Sequence, residues 1–138
     1  MTVTIDLTRD VASCLELRRI VFIEEQGVPQ ADEIDDLDGR SLHLLASDGE
    51  NPIGTARVHI ADGVAKIGRV CVLKSHRGTG LGAALIAKAL EISKGKAATA
   101  KLAAQVHALA FYEALGFTAI GPVYDDAGID HRDMVRPL

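Results

Sequence analysis

Apolar and polar residues alternate from the start of the chain. Residues 3–7 place an apolar side chain at every second position, the period of a half-buried β-strand. Apolar residues then recur every three or four positions, which predicts an amphipathic helix that runs to about Glu24 and is capped by Thr8 or Asp10. The acidic residues 32–39 have no clear period, and they are predicted to form a solvated loop that could line a site.

Three apolar runs in the middle of the chain are separated by Asp-Gly pairs, the pattern of an antiparallel meander. They cover residues 42–46, 53–60 and 64–73. A helical period follows, from Leu81 to an end near Gly95. Residues 101–106 are a short apolar run. Because this strand follows a strand and a helix, it should lie parallel to residues 64–73 in one sheet.

The C-terminal part of the chain predicts a short helix at 108–115 and a final hairpin. Gly116 can cap the helix, and residues 125–128 can form the turn between strands at 117–123 and 129–135. These elements predict an α/β (α+β) fold. Residues 1–138 would form one domain with a mixed, mostly antiparallel sheet, a central parallel pair and flanking helices.

Composition narrows the class of protein. Hydrophobic residues make up 48% and charged residues 25% of the chain, values typical of a globular domain. The net charge of −4 gives no general positive field, so nucleic acid is not an expected partner. Cys14 and Cys71 fit buried hydrophobes better than a disulfide framework, which favours the cytoplasm. Neither export nor membrane insertion is expected. Histidine and cysteine spacing implies no metal.

The turn at residues 77–82, Arg-Gly-Thr-Gly-Leu-Gly, lies between a predicted strand and a predicted helix. Exposed backbone amides and the positive end of a helix suit a phosphate there, and Arg77 can add a charge-assisted hydrogen bond. Gly78, Gly80 and Ala83 also satisfy the dinucleotide pattern, but residues 103–106 offer no acid for the ribose. A P-loop is disfavoured because no Gly-Lys-Ser/Thr closes the motif.

At these residues the chain resembles the GCN5-related N-acetyltransferase (GNAT) superfamily. The strand at 69–72 followed by the glycine turn is similar to its diagnostic element, and residues 110–117, Ala-Phe-Tyr-Glu-Ala-Leu-Gly-Phe, are similar to a signature near the end of its domains. The similarity to the branch of uncharacterised bacterial acetyltransferases related to ElaA lies at residues 21–29, Gln105, His107 and 128–131.

The resemblance implies that acetyl-CoA is the acyl donor and that the parallel strands splay to admit it. The pantetheine arm would pair with one strand, the pyrophosphate would lie on the glycine turn, and the short C-terminal helix would add contacts. The family normally has an asparagine before that helix, where this chain offers Gln105 and His107. The implied cofactor-binding residues are Val70, Cys71, Val72, Arg77, Gly78, Thr79, Gly80, Leu81, Gly82, His107, Phe111 and Tyr112.

The resemblance also assigns roles in the reaction. Tyr112 would protonate the departing thiolate, and the backbone N–H of Val72 could donate to the oxyanion. The general base is left open among four residues, with Glu25 and Glu33 preferred: Glu25, Glu33, His43 and His107. An acidic wall near the first helix would favour a cationic amine. Arg57 should face inward, where a salt bridge is its simplest explanation.

Two other functions remain open beside an N-acyltransferase acting on a small amine or on a protein or peptide amine. One is a CoA-binding sensor or structural module without turnover. The other, a nucleotide-binding oxidoreductase, would need an acid at the ribose position that the sequence does not offer. The final hairpin could also pair across a homodimer.

Overall fold

The structure is a computed structural model that describes residues 2–138. Its seven strands are β1 (Val3–Thr8), β2 (Leu42–Asp48), β3 (Asn51–Ala61), β4 (Val64–Val72), β5 (Thr99–Gln105), β6 (Thr118–Asp126) and β7 (Ile129–Pro137). Its helices are α1 (Val11–Arg18), α2 (Gln30–Glu33), α3 (Leu81–Ser93) and α4 (Leu109–Glu113). A π-helical segment, Arg19–Glu25, continues α1, and three 3₁₀ turns occur at Asp38–Arg40, Lys74–His76 and Val106–Ala108.

The strands form one sheet in the order β1-β2-β3-β4-β5-β7-β6. Strands β1 to β4 are an antiparallel meander, β5 lies parallel to β4 after the crossover through α3, and β7 lies between β5 and β6. The predicted mixed sheet with one central parallel pair is therefore confirmed. A doubly wound parallel sheet, which a dinucleotide-binding domain would need, is not present in residues 2–138.

Each face of the sheet is covered by different elements. The long helix α3 buries Leu85, Ile86 and Ala89 against one face. On the other face, Leu17 of α1 and Val21 pack with Cys71 of β4. Both cysteines are free and buried, as their apolar surroundings in the sequence predicted. No helix in the described part of the chain is long and apolar enough to cross a bilayer.

The N-terminal helix begins as predicted but continues differently. Asp10 caps it, since its Oδ1 accepts a hydrogen bond of 3.1 Å from the Ser13 N–H. The widened π-helical turns then extend to Glu25. The acidic stretch is also more ordered than predicted, because it contains α2 and packs against the sheet. Glu33, at the end of α2, is only 3% exposed.

Candidate active site

The parallel strands β4 and β5 are joined over a short length only. Their ladder contains Val64–Thr99, Ala65–Ala100 and Lys66–Lys101, and it stops there. Beyond this point β5 continues to pair with β7 as far as Gln105, while β4 continues to pair with β3. The two strands therefore diverge in a wedge toward their carboxyl ends, with backbone groups of both strands facing the gap.

A β-bulge changes the direction of β4 beside this wedge. The pairing passes from Arg57–Gly68 to Thr55–Cys71, so two β4 residues oppose one residue of β3. Arg69 occupies the bulge with a φ of +52°, a backbone conformation that residues other than glycine rarely adopt. The other two non-glycine residues with a positive φ in the described chain, Asp62 and Ala127, lie in hairpin turns, whereas Arg69 lies within a strand beside the wedge.

The direction of the Val72 backbone groups follows from its neighbour. The Leu73 N–H donates to the Ile53 carbonyl at 2.8 Å. Because successive residues of an antiparallel strand alternate in direction, the N–H and C=O of Val72 point away from β3 and into the wedge. The carbonyl of Val72 there accepts a hydrogen bond of 2.9 Å from Arg77 Nε. The N–H predicted to serve an oxyanion is thus directed toward the gap.

A cleft of about 390 Å³ opens where the strands diverge. Its floor is formed by β4 and β5 around Gly68, Val70 and Ala103, and the π-helical segment and the acidic loop form one wall. Tyr112 of α4 and the tip of the β6–β7 hairpin close the opposite side. The volume lies in the range of small-molecule sites.

The glycine turn leads directly into α3. Gly78 and Gly80 have φ values of +76° and +85°, which favour glycine, and a Cβ on either would meet no heavy atom within 4 Å. In the described residues no side chain caps α3, so its first amides are open. The Phe111 ring lies over this turn, 3.6 Å from the point where a Cβ on Gly82 would be. The arrangement is that of an anion-binding helix end.

Comparison with known proteins identifies the family to which this architecture belongs. The sequence model described as Acetyltransferase (GNAT) domain matches residues 21–138. The uncharacterized N-acetyltransferase YjcF of Bacillus subtilis (strain 168) is 42% identical over 123 residues, 87% of each chain. The chain belongs to the GNAT acetyltransferase family.

Two crystal structures agree with this GNAT assignment. Escherichia coli ElaA has a TM-score of 0.87 at 30% identity, covering 98% of this chain and 99% of that one. An acyl-CoA N-acyltransferase from Pseudomonas aeruginosa has a TM-score of 0.86 at 32% identity, covering 98% of both chains. The predicted family and the predicted relation to ElaA are confirmed.

Glu33 lies in a buried network of ion pairs. Arg18, which is 1% exposed, binds the Glu33 carboxylate through Nε and the Asp38 carboxylate through Nη1, the latter at 2.8 Å. Arg69 donates to the Glu33 carbonyl at 2.9 Å. A carboxylate held this way is poorly placed to take a proton from a substrate, which favours a structural role for Glu33 over the base predicted from the sequence.

Asp35 and Asp38 of the acidic loop are also neutralised, so these two carboxylates add no net negative charge to the wall that the sequence suggested. Arg57 faces inward as predicted and binds Asp35 at 2.7 Å and Asp38 at 3.1 Å. Burial alone would raise the pKa of Asp38, but hydrogen bonds from Arg18 and Arg57 hold that pKa below its usual value. Both carboxylates are therefore ionised and matched by arginines at neutral pH.

Glu25 and Arg77 bind each other. Arg77 Nη2 lies 2.6 Å from Glu25 Oε2, and the same guanidinium donates to Val72. This pair ties the end of the π-helical segment to the glycine turn. Glu25 is thus beside the predicted phosphate turn and is not among the residues that line the cleft.

Tyr112 lines the cleft between α4 and β5. Its ring packs edge-on against Phe111 and Phe117, with centroid distances of 5.0 and 6.1 Å. Burial raises the pKa of its hydroxyl, which therefore stays protonated at neutral pH. Burial likewise raises the pKa of Cys71 to about 12, so its thiol is inert as a nucleophile.

His131, which belongs to the ElaA-like stretch 128–131 but was given no role from the sequence, lines the cleft. Its Nδ1 lies 2.8 Å from the Ile129 carbonyl, which can only accept, so the neutral ring carries its proton on Nδ1 and leaves Nε2 as a proton acceptor. The ring stacks on Tyr124 at 6.2 Å. Its position opposite Gln105 depends on the β5–β7 register, which no local pattern reveals.

The other histidines proposed as bases are placed differently. His43 is buried, and its Nε2 lies 2.9 Å from the Asp38 carbonyl. His107 is exposed at the end of β5, with Nε2 2.7 Å from Gln105 Oε1. Gln105 in turn donates to Gln26 at 2.9 Å, which links β5 to the segment after the π-helical turns.

Proposed function

We propose that this chain transfers an acetyl or other acyl group from acyl-CoA to a small primary amine by direct attack on the thioester. The observation that carries the proposal is the wedge: β4 and β5 are joined by three residue pairs and then open onto a cleft beside Tyr112. Membership of the GNAT family supports the reaction class, and the small cleft favours a small-molecule acceptor over a protein or peptide.

The cofactor would enter between the diverging strands. Its pyrophosphate would bind the amides of residues 77–82 at the start of α3, where both glycines leave the turn open. Its pantetheine arm would run along residues 70–72 and take up the backbone groups of Val72 that point into the wedge. Phe111 lies over the same turn and would flank the cofactor. His107 would contribute from the end of β5.

The reaction would need one base, one acid and one oxyanion donor. As the amine nitrogen bonds to the thioester carbon, the nitrogen would lose a proton to Nε2 of His131. The Val72 N–H would stabilise the oxyanion, and the carbon–sulfur bond would then break. Tyr112 would give its proton to the thiolate. His131 replaces Glu25 and Glu33 as our preferred base because it lines the cleft and offers an unprotonated nitrogen, whereas Glu25 does not line the cleft and Glu33 lines it but is paired with Arg18.

The rival function is a CoA-binding module without turnover. It shares the wedge and the glycine turn but needs neither an acid nor a base in the cleft. The protonated hydroxyl of Tyr112 and the free Nε2 of His131, both in the cleft, favour the enzyme. Because both cysteines are free thiols, we also propose that the reaction takes place in the reducing cytoplasm.

The first experiment measures acetyl-CoA affinity by calorimetry. Gly80→Glu places a negative side chain in the phosphate turn, and Gly95→Glu is its matched control. Gly95 follows the other end of α3, has a φ of +80°, and has equally open surroundings. We expect Gly80→Glu to weaken binding about 100-fold or more, by loss of charge-assisted contacts to phosphate, with Gly95→Glu unchanged. Equal affinity in both variants would contradict the cofactor site.

The second experiment follows thiol release with a panel of amines. Tyr112→Phe should lower kcat about 100-fold without changing acetyl-CoA affinity, the usual range for losing a general acid. Tyr124→Phe is the matched control at the other tyrosine. His131→Asn should likewise lower kcat about 100-fold, the usual range for losing a general base, and His107→Asn should keep kcat at saturating acetyl-CoA. Tight acetyl-CoA binding without turnover of any amine would favour the rival module.

A further inference from the structure

The charge of the cleft is concentrated in a few residues once the ion pairs are taken into account. Three arginines, Arg18, Arg57 and Arg69, face three carboxylates of the acidic loop. These six groups cancel and anchor the wall. Two charged lining residues stand outside the network, Lys66 on β4 and Asp126 at the hairpin tip.

Lys66 belongs to a row of basic side chains across the sheet. It pairs with His59 on β3 and with Lys101 on β5, and residues directly opposite each other share a face. The Lys101 ammonium is 3.7 Å from the Asp133 carboxylate. Lys66 forms no ion pair with any residue in the range 2–138. Lys66 and the neighbouring His59 both line the cleft.

The basic and acidic residues occupy opposite ends of the cleft. Lys66 is the last residue of the β4–β5 ladder, at the closed end of the wedge. His131 pairs with Gln105, at the open end, and Asp126 is on the same hairpin. The two ends are four residue steps apart on β5, from Lys101 to Gln105, roughly 13 Å of strand. The bulge at Arg69 is between them, and residues 70–72, along which the pantetheine arm would run, continue from it.

We propose that Lys66 and His59 form an anion subsite and that the acceptor is a small amine that also carries a carboxylate or a phosphate. The anionic group would lie against Lys66. Lys66 is two residues, about 7 Å of strand, from Gly68 on the floor of the cleft. The amine would lie toward His131 and Asp126, which favour a cation before its deprotonation. This inference rests on the proposed acyl transfer. It selects, among primary amines, those with an acidic group a few atoms from the nitrogen.

The test compares acceptors that differ only in the anion. One pair is β-alanine and β-alaninamide, for a carboxylate, and the other is phosphoethanolamine and ethanolamine, for a phosphate. Wild-type kcat/KM, from thiol release with acetyl-CoA, should be about 10-fold or more higher for the anionic member of at least one pair. Lys66→Gln should abolish that preference and leave the neutral member nearly unchanged. Lys101→Gln, at the adjacent lysine outside the cleft lining, is the matched control.

Direct binding separates this inference from the proposed function. Calorimetry of the CoA-bound protein with N-acetyl-β-alanine, N-acetyl-phosphoethanolamine and inorganic phosphate needs no turnover. Binding by wild type that Lys66→Gln weakens about 10-fold supports the subsite even if no amine is acetylated, in which case the transferase proposal alone fails. A wild-type preference for the neutral amines, equal losses on both members in Lys66→Gln, or no binding together with no turnover of the anionic amines would overturn the inference.

Discussion

Replacing Arg18 by methionine should destabilise the protein far more than replacing its neighbour Arg19 by glutamine. The two side chains carry the same charge and are adjacent in sequence, but Arg18 is 1% exposed and Arg19 is 47% exposed. Arg18 binds Glu33 and Asp38, whereas Arg19 binds Glu16 and Glu24 on the surface. Methionine approximates the volume of the arginine stem, so the comparison isolates the charge.

The expected magnitude follows from burial. Removing one partner of a buried ion pair typically costs about 3 to 5 kcal/mol, because the remaining carboxylates lose their compensating charge. An exposed pair contributes about 0 to 1 kcal/mol. For 138 residues, an unfolding entropy of about 2.1 cal/mol/K per residue gives about 0.29 kcal/mol/K. Arg18→Met should therefore lower Tm by roughly 10 °C or more, and Arg19→Gln by roughly 3 °C or less.

The assay is urea and thermal unfolding followed by circular dichroism, with acetyl-CoA absent. A loss in Arg18→Met as small as that in Arg19→Gln would refute the buried network. Glu33→Gln adds a functional comparison. If Glu33 anchors the wall, this variant should lose stability and keep turnover per folded molecule. If Glu33 is the general base, it should keep stability and lose turnover by about 100-fold or more.

Three further predictions concern single side chains. Gly54→Ala should cost about 1 to 3 kcal/mol in urea unfolding, because the added Cβ would lie 3.1 Å from the Cys71 carbonyl oxygen and 3.2 Å from Leu85 Cδ1. Gly39→Ala, where the added Cβ meets open space, should leave the free energy of unfolding unchanged. Equal effects of the two substitutions would contradict this packing. Cys71, with its pKa of about 12, should resist iodoacetamide at pH 8 by mass spectrometry until the protein unfolds, and rapid labelling would contradict its burial. The folded-state pKa of Asp38 is depressed, so its contribution to stability is present above about pH 4 and is lost as the pH falls through the folded pKa; Asp38→Asn should flatten this acid loss in urea titrations, and an unchanged slope would argue against it.

The sequence predicted the parts of the fold that depend on local patterns. The strands and the helices α1, α3 and α4 were found from local apolar patterns, whereas α2 was not, and the order strand–helix–strand was enough to place β5 parallel to β4. The glycine turn was found for the same reason, since Gly78 and Gly80 are adjacent to the start of α3. That β4 and β5 splay apart was inferred from the family resemblance and not from the pattern.

The side-chain network could not be predicted, because it joins residues distant in the chain. Arg18 and Glu33 are fifteen positions apart, and Arg69 and Glu33 are thirty-six apart. Without those partners the acidic stretch has the composition of a solvated loop. Arg57 was the one local hint, since an arginine on the inward face of a strand requires a counter-charge. The role of His131 could not be assigned from the sequence, because its place in the cleft depends on the register of the last hairpin.

The interrupted ladder between β4 and β5 has a consequence for how sequence can vary at this site. An open strand edge is usually a hazard, because other chains can pair with it. Here two open edges face each other within the molecule, shielded by α4 and the last hairpin. If the main chain of residues 70–72 forms the hydrogen bonds to the cofactor, the side chains there are constrained by packing in the core and not by contact with the cofactor. Binding would then survive substitution at these positions as long as the strand itself persists.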